Sequence, residues 1–191
     1  MTAGQEHAGT YDIALLTTGG TIEKTYDAHR GTLHNARCVL DEILGALVIE
    51  NLRLHRVAVM SKDSLDMVAE DHQRIADVAI EESNRRDGVV IVHGTDRLAQ
   101  TGEIICQACG EAPRVPIVLT GAMRPWIVRD SDAHQNLTEA LLAVQLLEPG
   151  VYVCMHSRVL RFPGVVKDRE NLRFLPAREA RDVDPTTECH S

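Results

Sequence analysis

The chain has 191 residues, a length that suits one domain of ordinary size with a substantial hydrophobic core. Acidic residues outnumber basic ones and give a formal net charge of −8 at pH 7, and no basic run is longer than Arg85-Arg86. This charge pattern excludes nucleic acid and anionic membranes as expected partners. No apolar run reaches the length of a membrane span, and residues 1–10 lack a signal-peptide pattern, so we expect a cytoplasmic protein.

The five cysteines are odd in number and scattered, which is typical of reduced thiols in a cytoplasm. Cys106 and Cys109 have CxxC spacing, but they lie inside a helical pattern and no second pair accompanies them. Structural thiols are therefore favoured over a redox or zinc site.

Short apolar runs alternate with helical periodicities along the chain. Strands are predicted over residues 12–17, 56–60, 89–92, 116–119 and 151–155. Helices are predicted over 39–47, for about 17 residues after Ser64, around 98–108, and from Asp132 to about 147. This alternation predicts an α/β fold, a doubly wound, mainly parallel flavodoxin-like sheet with helices on both faces.

The remaining segments are polar and lack a clear periodicity. Residues 23–37 are predicted to form a long loop, and loops of that length are often lids. A turn or hairpin is predicted between 158 and 167. We expect a single domain over 11–175, preceded by a flexible segment at 1–10 and followed by a disordered tail at 176–191.

The first strand ends in Thr17-Thr18-Gly19-Gly20-Thr21-Ile22. Two glycines allow a tight turn and a close approach of other groups to the backbone. A threonine hydroxyl at this edge of an α/β sheet could act as a nucleophile. Two other interpretations are open: a threonine could cap a helix, or the glycines could cradle a phosphate.

Other predicted strands also end in hydroxyl-bearing or charged residues. The ends carry Thr18 and Thr21, Ser61, Asp63 and Ser64, Thr95 and Asp96, and Thr120 and Arg124. The carboxyl ends of parallel strands share one edge of the sheet, so these groups are expected to converge. A threonine nucleophile needs a base, and a lysine beside an aspartate can serve, so nucleophilic hydrolysis is a candidate chemistry.

Several motifs at these strand ends carry a family resemblance. The chain has TTGGTI at 17–22, HGTD at 93–96, TGAMRP at 120–125 and SDAHQNL at 131–137, with Asp63-Ser64 between the first two. In this order and spacing they resemble the bacterial-type L-asparaginase/glutaminase family over about residues 12–168. The resemblance implies an amidohydrolase that converts L-asparagine to L-aspartate and ammonia through a threonine acyl-enzyme.

The resemblance also implies residue roles. Thr21 would be the nucleophile, assisted by Thr95, Lys167 and Asp96, with the Thr95 backbone N–H stabilising the oxyanion and Tyr26 reaching Thr21 from the loop. The substrate would contact Gly20, Asp63, Ser64, Thr95 and Asp96. No metal or cofactor is implied, and a homo-oligomer is expected.

The chain departs from the family pattern in places. Arg97 replaces the usual threonine after HGTD, and Ala133 replaces the usual glycine after Ser-Asp. Typical members carry a further C-terminal domain that completes a neighbouring subunit's site, so this sequence is interpreted as a short single-domain form. Three alternatives stay open: a non-catalytic amino-acid-binding or regulatory domain, an amidase preferring glutamine or another small amide, and a nucleotide-binding flavodoxin-like module.

Overall fold

The computed structural model describes residues 9–20, 22, 24–27, 32–35, 38–110 and 112–180, with the backbone alone at 24–27, 32–35 and 38. The strands are β1 Tyr11–Thr17, β2 Lys24–Asp27, β3 Thr32–Asn35, β4 Leu52–Ala58, β5 Gly88–Val92, β6 Pro116–Thr120, β7 Gly150–Met155, β8 Arg158–Arg161, β9 Val165–Asp168 and β10 Arg173–Pro176. The helices are α1 Cys38–Ala46, α2 Ala69–Ser83, α3 Leu98–Ala108, α4 Ala133–Leu146 and α5 Ala177–Ala180, with one 3-10 turn at Ser64–Asp66.

Six strands form the central sheet, in the order β4-β1-β5-β6-β7-β8. The first five are parallel, and β8 runs antiparallel to β7 at the edge. Helices α2 and α3 pack on one face, and α1 and α4 pack on the other. The predicted α/β fold with a mainly parallel sheet and helices on both faces is confirmed.

The central strands are buried on both faces because helices cover both sides. All residues of β5, β6 and β7 are buried, which explains their continuous apolar runs. Helix α2 is amphipathic and directs Ile75, Ala76 and Ala79 into the core. His72, on the same face of α2, is fully buried as well.

One crossover connection differs from the others. Going from β5 to β6 and from β6 to β7, the chain moves in the same direction across the sheet, but α3 and α4 lie on opposite faces. The two units must therefore have opposite hands. The connections through α1 and α2 share the hand of the α3 unit, and about 98% of such connections are right-handed, so β6–α4–β7 is the exceptional left-handed unit.

The left-handed crossover starts with the connection 121–132, which is held by Asp132. Its carboxylate accepts hydrogen bonds from the backbone N–H groups of Met123 and Arg124 at 3.0 and 2.9 Å, and from His156 Nε2 at 2.7 Å. Burial alone would raise the pKa of Asp132, but these donors outweigh it and hold the pKa below its usual value of 3.8. The predicted capping role of Asp132 is wrong, because Ser131 Oγ accepts from the Ala133 N–H instead.

The prediction of an unstructured loop over 23–37 is wrong in part. Strands β2 and β3 form an antiparallel ladder in which Tyr26 is opposite Leu33. The backbone ladder needs no apolar face, so the hydrophobic pattern did not reveal it. The prediction of a turn or hairpin at 158–167 also needs refinement, since β8 pairs with β7 and β9 pairs with β10.

Helix α3 holds the segment that leads into β9. The ring of Phe162 packs directly on Gly102, where an added Cβ would overlap the ring tip. Next to it, Glu103 Oε1 accepts hydrogen bonds from the backbone N–H groups of Gly164 and Val165 at 2.6 and 3.3 Å. Strand β9 is thereby fixed against α3, and its register with β10 continues to Pro176.

The chain ends fall partly outside the described residues. Residues 1–8 and 181–191 are not described, so the predicted flexible start at 1–10 and disordered tail at 176–191 stay predictions. Within the tail, Ala177–Ala180 form α5. In the part of the chain that the structure covers, no helix has the length and apolar character that a bilayer crossing needs.

The Gly102 contact predicts opposite effects of one substitution at two helical glycines. Gly102→Ala should lower the free energy of unfolding, because the Phe162 ring is buried and must shift. Gly45→Ala in α1 should raise it by up to about 1 kcal/mol, because nothing lies within 4 Å of an added Cβ there. Urea unfolding of both variants measures the difference, and equal stabilisation of both would contradict the Gly102–Phe162 contact.

The bonds to Asp132 predict a pH-dependent contribution to stability. A carboxyl whose pKa is lowered by folding stabilises the protein above its unfolded pKa, and that contribution disappears as the pH falls through the lowered value. Asp132→Asn should therefore cost on the order of 1–3 kcal/mol at pH 7. Its cost relative to the unmodified chain should shrink below pH 3.8.

The matched control for that prediction is Asp130→Asn. Asp130 pairs with Arg124 at the surface, and its side chain is 71% exposed. Its cost should stay below about 1 kcal/mol at both pH values. Urea titrations at pH 7 and near pH 3 provide the comparison, and a pH-independent cost of Asp132→Asn would count against the assigned role.

Candidate active site

The carboxyl ends of β1, β4 and β5 meet in direct backbone contact. Gly20 has φ +97°, and a Cβ placed on it would lie 2.5 Å from Gly94 Cα. A Cβ on Gly94 would lie 2.6 Å from Ser64 Oγ. Only glycine fits at both positions, so the TTGGTI and HGTD motifs and the Asp63-Ser64 pair are brought together as predicted.

The end of β6 joins the same edge. A Cβ on Gly121 would overlap the His93 carbonyl oxygen and lie 3.4 Å from Thr95 Cγ2. Thr120 Oγ1 donates to the Cys154 carbonyl at 2.9 Å, and Thr18 Oγ1 donates to the Val92 carbonyl at 3.1 Å. These two hydroxyls are used in holding strand ends together, which leaves other hydroxyls for chemistry.

Thr95, Asp96 and Lys167 form a compact polar cluster. Lys167 Nζ donates to Thr95 Oγ1 at 2.8 Å and to Asp96 Oδ1 at 2.9 Å. Thr95 is 3% exposed, and the Lys167 side chain is 11% exposed. Because water is largely excluded from these two groups, the charges act strongly on the Thr95 hydroxyl. Lys167 reaches the cluster from β9, which α3 holds in place.

A second cation also touches Asp96. Arg169 Nη1 lies 3.0 Å from the same oxygen, Oδ1, that accepts from Lys167. The Arg169 side chain is 66% exposed, so it contacts Asp96 from the solvent side. Residue-by-residue interpretation of the motifs missed this arginine, because it follows the last motif residue and carries no pattern of its own.

The segment after β4 forms a short 3-10 turn that presents Ser64. Asp63 caps the turn, and its Oδ1 accepts from the Leu65 N–H at 3.1 Å. Ser64 is buried against Gly94. Arg97, the residue that departs from the family pattern, donates from Nη1 to the Met67 carbonyl and so ties the turn to the start of α3.

The SDAHQNL motif supports the site from below. Asn136 is fully buried, and its side-chain amide donates to the Gly121 carbonyl at 2.9 Å and to Asp132 Oδ2 at 2.8 Å. Its Oδ1 accepts from the His156 N–H at 3.0 Å. Asn136 therefore positions the ends of β6 and β7, which is a structural function that the motif alone did not reveal.

A buried histidine also contacts the HGTD turn. His93 Nδ1 lies 2.8 Å from the Gly94 carbonyl oxygen, and its other nitrogen contacts Thr101. Burial lowers the pKa of His93 to about 4, against the opposing effect of the Gly94 bond. The signal in the sequence was a histidine, His72, on the apolar face of a predicted helix, because it completes this network.

The CxxC pair does not form a functional centre of the kind that needs a thiolate. Burial raises the pKa of both the Cys106 and Cys109 thiols, which disfavours the nucleophilic form. Among the described residues, no group of three or more histidine, cysteine or acidic side chains is placed to hold a metal ion.

Two predicted site residues are not placed by the structure. Thr21 lies outside the described residues, between the described Gly20 and Ile22. For Tyr26 the backbone in β2 is described but the side chain is not. The roles assigned to both residues therefore stay predictions. The other six, Gly20, Asp63, Ser64, Thr95, Asp96 and Lys167, lie at the carboxyl edge of the sheet or reach it.

Comparison with known proteins adds an independent line of support. Residues 12–172 match the family model described as "Asparaginase, N-terminal". The L-asparaginase of Thermococcus kodakarensis is 32% identical over 150 residues, which are 78% of this chain and 45% of that protein. One component of the glutamyl-tRNA(Gln) amidotransferase of Methanosphaera stadtmanae is 32% identical over 149 residues, 76% of this chain and 33% of that component.

A solved structure gives the same result. The thermostable L-asparaginase from Thermococcus kodakarensis superposes with a TM-score of 0.77 at 29% identity, over 86% of this chain and 51% of that chain. The chain thus spans about half or less of the length of the relatives it matches. With the motifs, the fold and the family model in agreement, the chain belongs to the asparaginase family, matching its N-terminal domain.

Proposed function

We propose that the chain is an amidohydrolase that converts L-asparagine to L-aspartate and ammonia through a threonine acyl-enzyme. The observation that carries the proposal is the Lys167 contact with Thr95 and Asp96, at 2.8 and 2.9 Å, beside the strand end that leads into Thr21. A hydroxyl, a base and an orienting carboxylate in this arrangement follow the logic of activated nucleophiles. Family membership supports amide hydrolysis as the reaction class.

In this proposal Thr21 Oγ attacks the side-chain amide carbon. The proton of the Thr21 hydroxyl passes to the Thr95–Lys167 pair and then to the leaving nitrogen, which departs as ammonia. The Thr95 N–H stabilises the negative charge on the amide oxygen, and loss of one such donor typically costs about 10²–10³ in rate. Water then attacks the ester, and aspartate is released. Tyr26 would assist from the β2–β3 segment.

The substrate is held by the groups around Ser64 and Asp96. Asp96 accepts the α-ammonium group, and the turn that carries Asp63 and Ser64 receives the α-carboxylate. Gly20 and Gly94 bring the nucleophile segment and this turn into contact, so the substrate lies across both. An amide that lacks either α-substituent should react poorly, because a buried polar partner would be left unpaired.

A second candidate substrate is favoured by one comparison. Several relatives are components of glutamyl-tRNA(Gln) amidotransferases, so an amidase acting on glutamine or another amide is the alternative within the same chemistry. A non-catalytic amino-acid-binding domain is the alternative without turnover. Ammonia release measured separately with asparagine and glutamine, together with binding of aspartate, discriminates these three. The proposal also includes a cytoplasmic homo-oligomer, which sedimentation or light scattering tests in part.

The nucleophile assignment predicts the behaviour of two variants. Thr21→Ala should fold with unchanged thermal stability and lose at least about 10³-fold in turnover, since no other hydroxyl replaces the attacking oxygen. Thr21→Ser keeps the hydroxyl and should retain measurable activity. Ammonia release is the readout. Substantial turnover by Thr21→Ala would reassign the nucleophile, most directly to Thr95.

The ion pair between Arg169 and Asp96 predicts a change in substrate affinity. If Asp96 accepts the substrate ammonium, Arg169 competes for the same carboxylate. Exposed ion pairs contribute about 0.2–1 kcal/mol, so Arg169→Ala should lower KM for asparagine about two- to fivefold and leave kcat nearly unchanged.

The control for this prediction is Arg173→Ala on the same hairpin. Arg173 pairs with Asp168 and its side chain is 46% exposed, so its removal should leave KM unchanged. A raised KM in Arg169→Ala would mean that Arg169 binds the substrate carboxylate, and the anchoring through Asp96 would have to be revised.

A further inference from the structure

Three buried side chains form a hydrogen-bonded network behind the HGTD turn. His72 lies on α2, Thr101 lies on α3 and His93 follows β5, and all three have no exposed surface. Thr101 Oγ1 lies 2.7 Å from His72 Nδ1 and 2.8 Å from His93 Nε2. Because His93 Nδ1 lies 2.8 Å from the Gly94 carbonyl oxygen, the His72–Thr101–His93 network ends on the backbone of the turn.

The Gly94 carbonyl sets the direction of every bond in this network. A carbonyl oxygen only accepts, so His93 Nδ1 carries the hydrogen and, in the neutral ring, Nε2 accepts from the Thr101 hydroxyl. Having donated its hydrogen, Thr101 Oγ1 accepts from His72 Nδ1. The other possible acceptor for the Thr101 hydroxyl, the Arg97 carbonyl, is farther away at 3.4 Å.

Both histidines are in the neutral form that this direction requires. Burial lowers the pKa of His93 to about 4, and burial with the nearby Arg97 charge lowers the pKa of His72. The His72 Nε2 then carries a lone pair, and it has no hydrogen-bond partner within the described part of the chain. An unpaired buried acceptor costs free energy, so apolar side chains would fill this space at lower cost.

The network controls a peptide group that the proposed reaction uses. The Gly94 carbonyl and the Thr95 N–H belong to one planar trans peptide, so they point in opposite directions. His93 holds the carbonyl on the buried side, and the Thr95 N–H is thereby directed away from the network. No hydrogen bond joins this N–H to another group among residues 9–20, 22, 24–27, 32–35, 38–110 and 112–180, which leaves it available to a ligand.

We infer that Thr101 and His72 are positioning residues for the Thr95 amide. Acting through His93, they fix the plane of the Gly94–Thr95 peptide and so aim the N–H that stabilises the oxyanion. The inference rests on the proposed function, since it assigns a task to this N–H in amide hydrolysis. It adds two residues on α2 and α3 that do not touch the substrate.

The decisive variant is Thr101→Val, which keeps the side-chain shape and removes the hydroxyl. His93 Nε2 then loses its donor, and a shift of its hydrogen from Nδ1 to Nε2 would turn a lone pair toward the Gly94 carbonyl. We expect kcat for amide hydrolysis to fall on the order of 10- to 100-fold, short of the ~10²–10³-fold typical of losing an oxyanion donor outright. KM should change less than about twofold. Thr101→Ser should recover most of the lost kcat.

The control for a general loss of stability is Ser83→Ala. Ser83 is buried at the far end of α2, and its hydroxyl donates to the Ile80 carbonyl at 2.8 Å. It should lower the melting temperature without changing kcat. Unchanged kcat in a folded Thr101→Val, or a Thr101→Ser variant as slow as Thr101→Val, would overturn the inference.

A second measurement is independent of turnover. Nitrogen-15 NMR of the imidazoles should show His93 and His72 as Nδ1–H tautomers in the unmodified protein, and Thr101→Val should shift the Thr95 amide resonance. If the protein releases no ammonia, the proposed function fails, while these two NMR results still support the network's control of the peptide. An Nε2–H tautomer of His93, or an unshifted Thr95 amide, would overturn that control.

Discussion

The backbone at Gly20 and Gly94 approaches without room for a side chain, and the site depends on this contact. Gly20 lies at the end of β1 and Gly94 after β5, so the close approach fixes the nucleophile segment against the HGTD turn. Ser64 packs on the other side of Gly94 and adds the end of β4. A methyl group at either glycine would separate the strand ends, and the polar groups that follow them would no longer converge.

Helix α3 connects this contact to the rest of the proposed chemistry. Its first turn follows Thr95 and Asp96, its buried face carries Thr101, and Gly102 with Glu103 receives the segment that leads to Lys167. The lysine is 72 residues from Thr95 in sequence, yet their side chains lie 2.8 Å apart. One helix thus sets both the oxyanion donor and the position of the base, so changes on its buried face should affect turnover more than its distance from the substrate implies.

Local pattern predicted much of this arrangement, and long-range packing accounts for the remainder. Buried strands and the residues at their ends were predicted correctly because apolar runs and parallel topology together place those ends at one edge. The β2–β3 ladder was missed because backbone bonds alone hold it, and the left-handed β6–α4–β7 unit was missed because sequence does not show which face a helix covers. Asn136 and His72 were interpreted as helix positions, since their partners at Gly121 and Thr101 are remote in sequence.

The most direct test of the account is the identity of the covalent intermediate. The protein should be quenched in acid during turnover of asparagine, digested, and examined by mass spectrometry. The account predicts an aspartyl ester on the peptide that contains Thr21, with formation slowed in Lys167→Met because the base beside Thr95 is absent. An aspartyl ester on the peptide that contains Thr95, or steady ammonia release with no covalent adduct on either peptide, would contradict it.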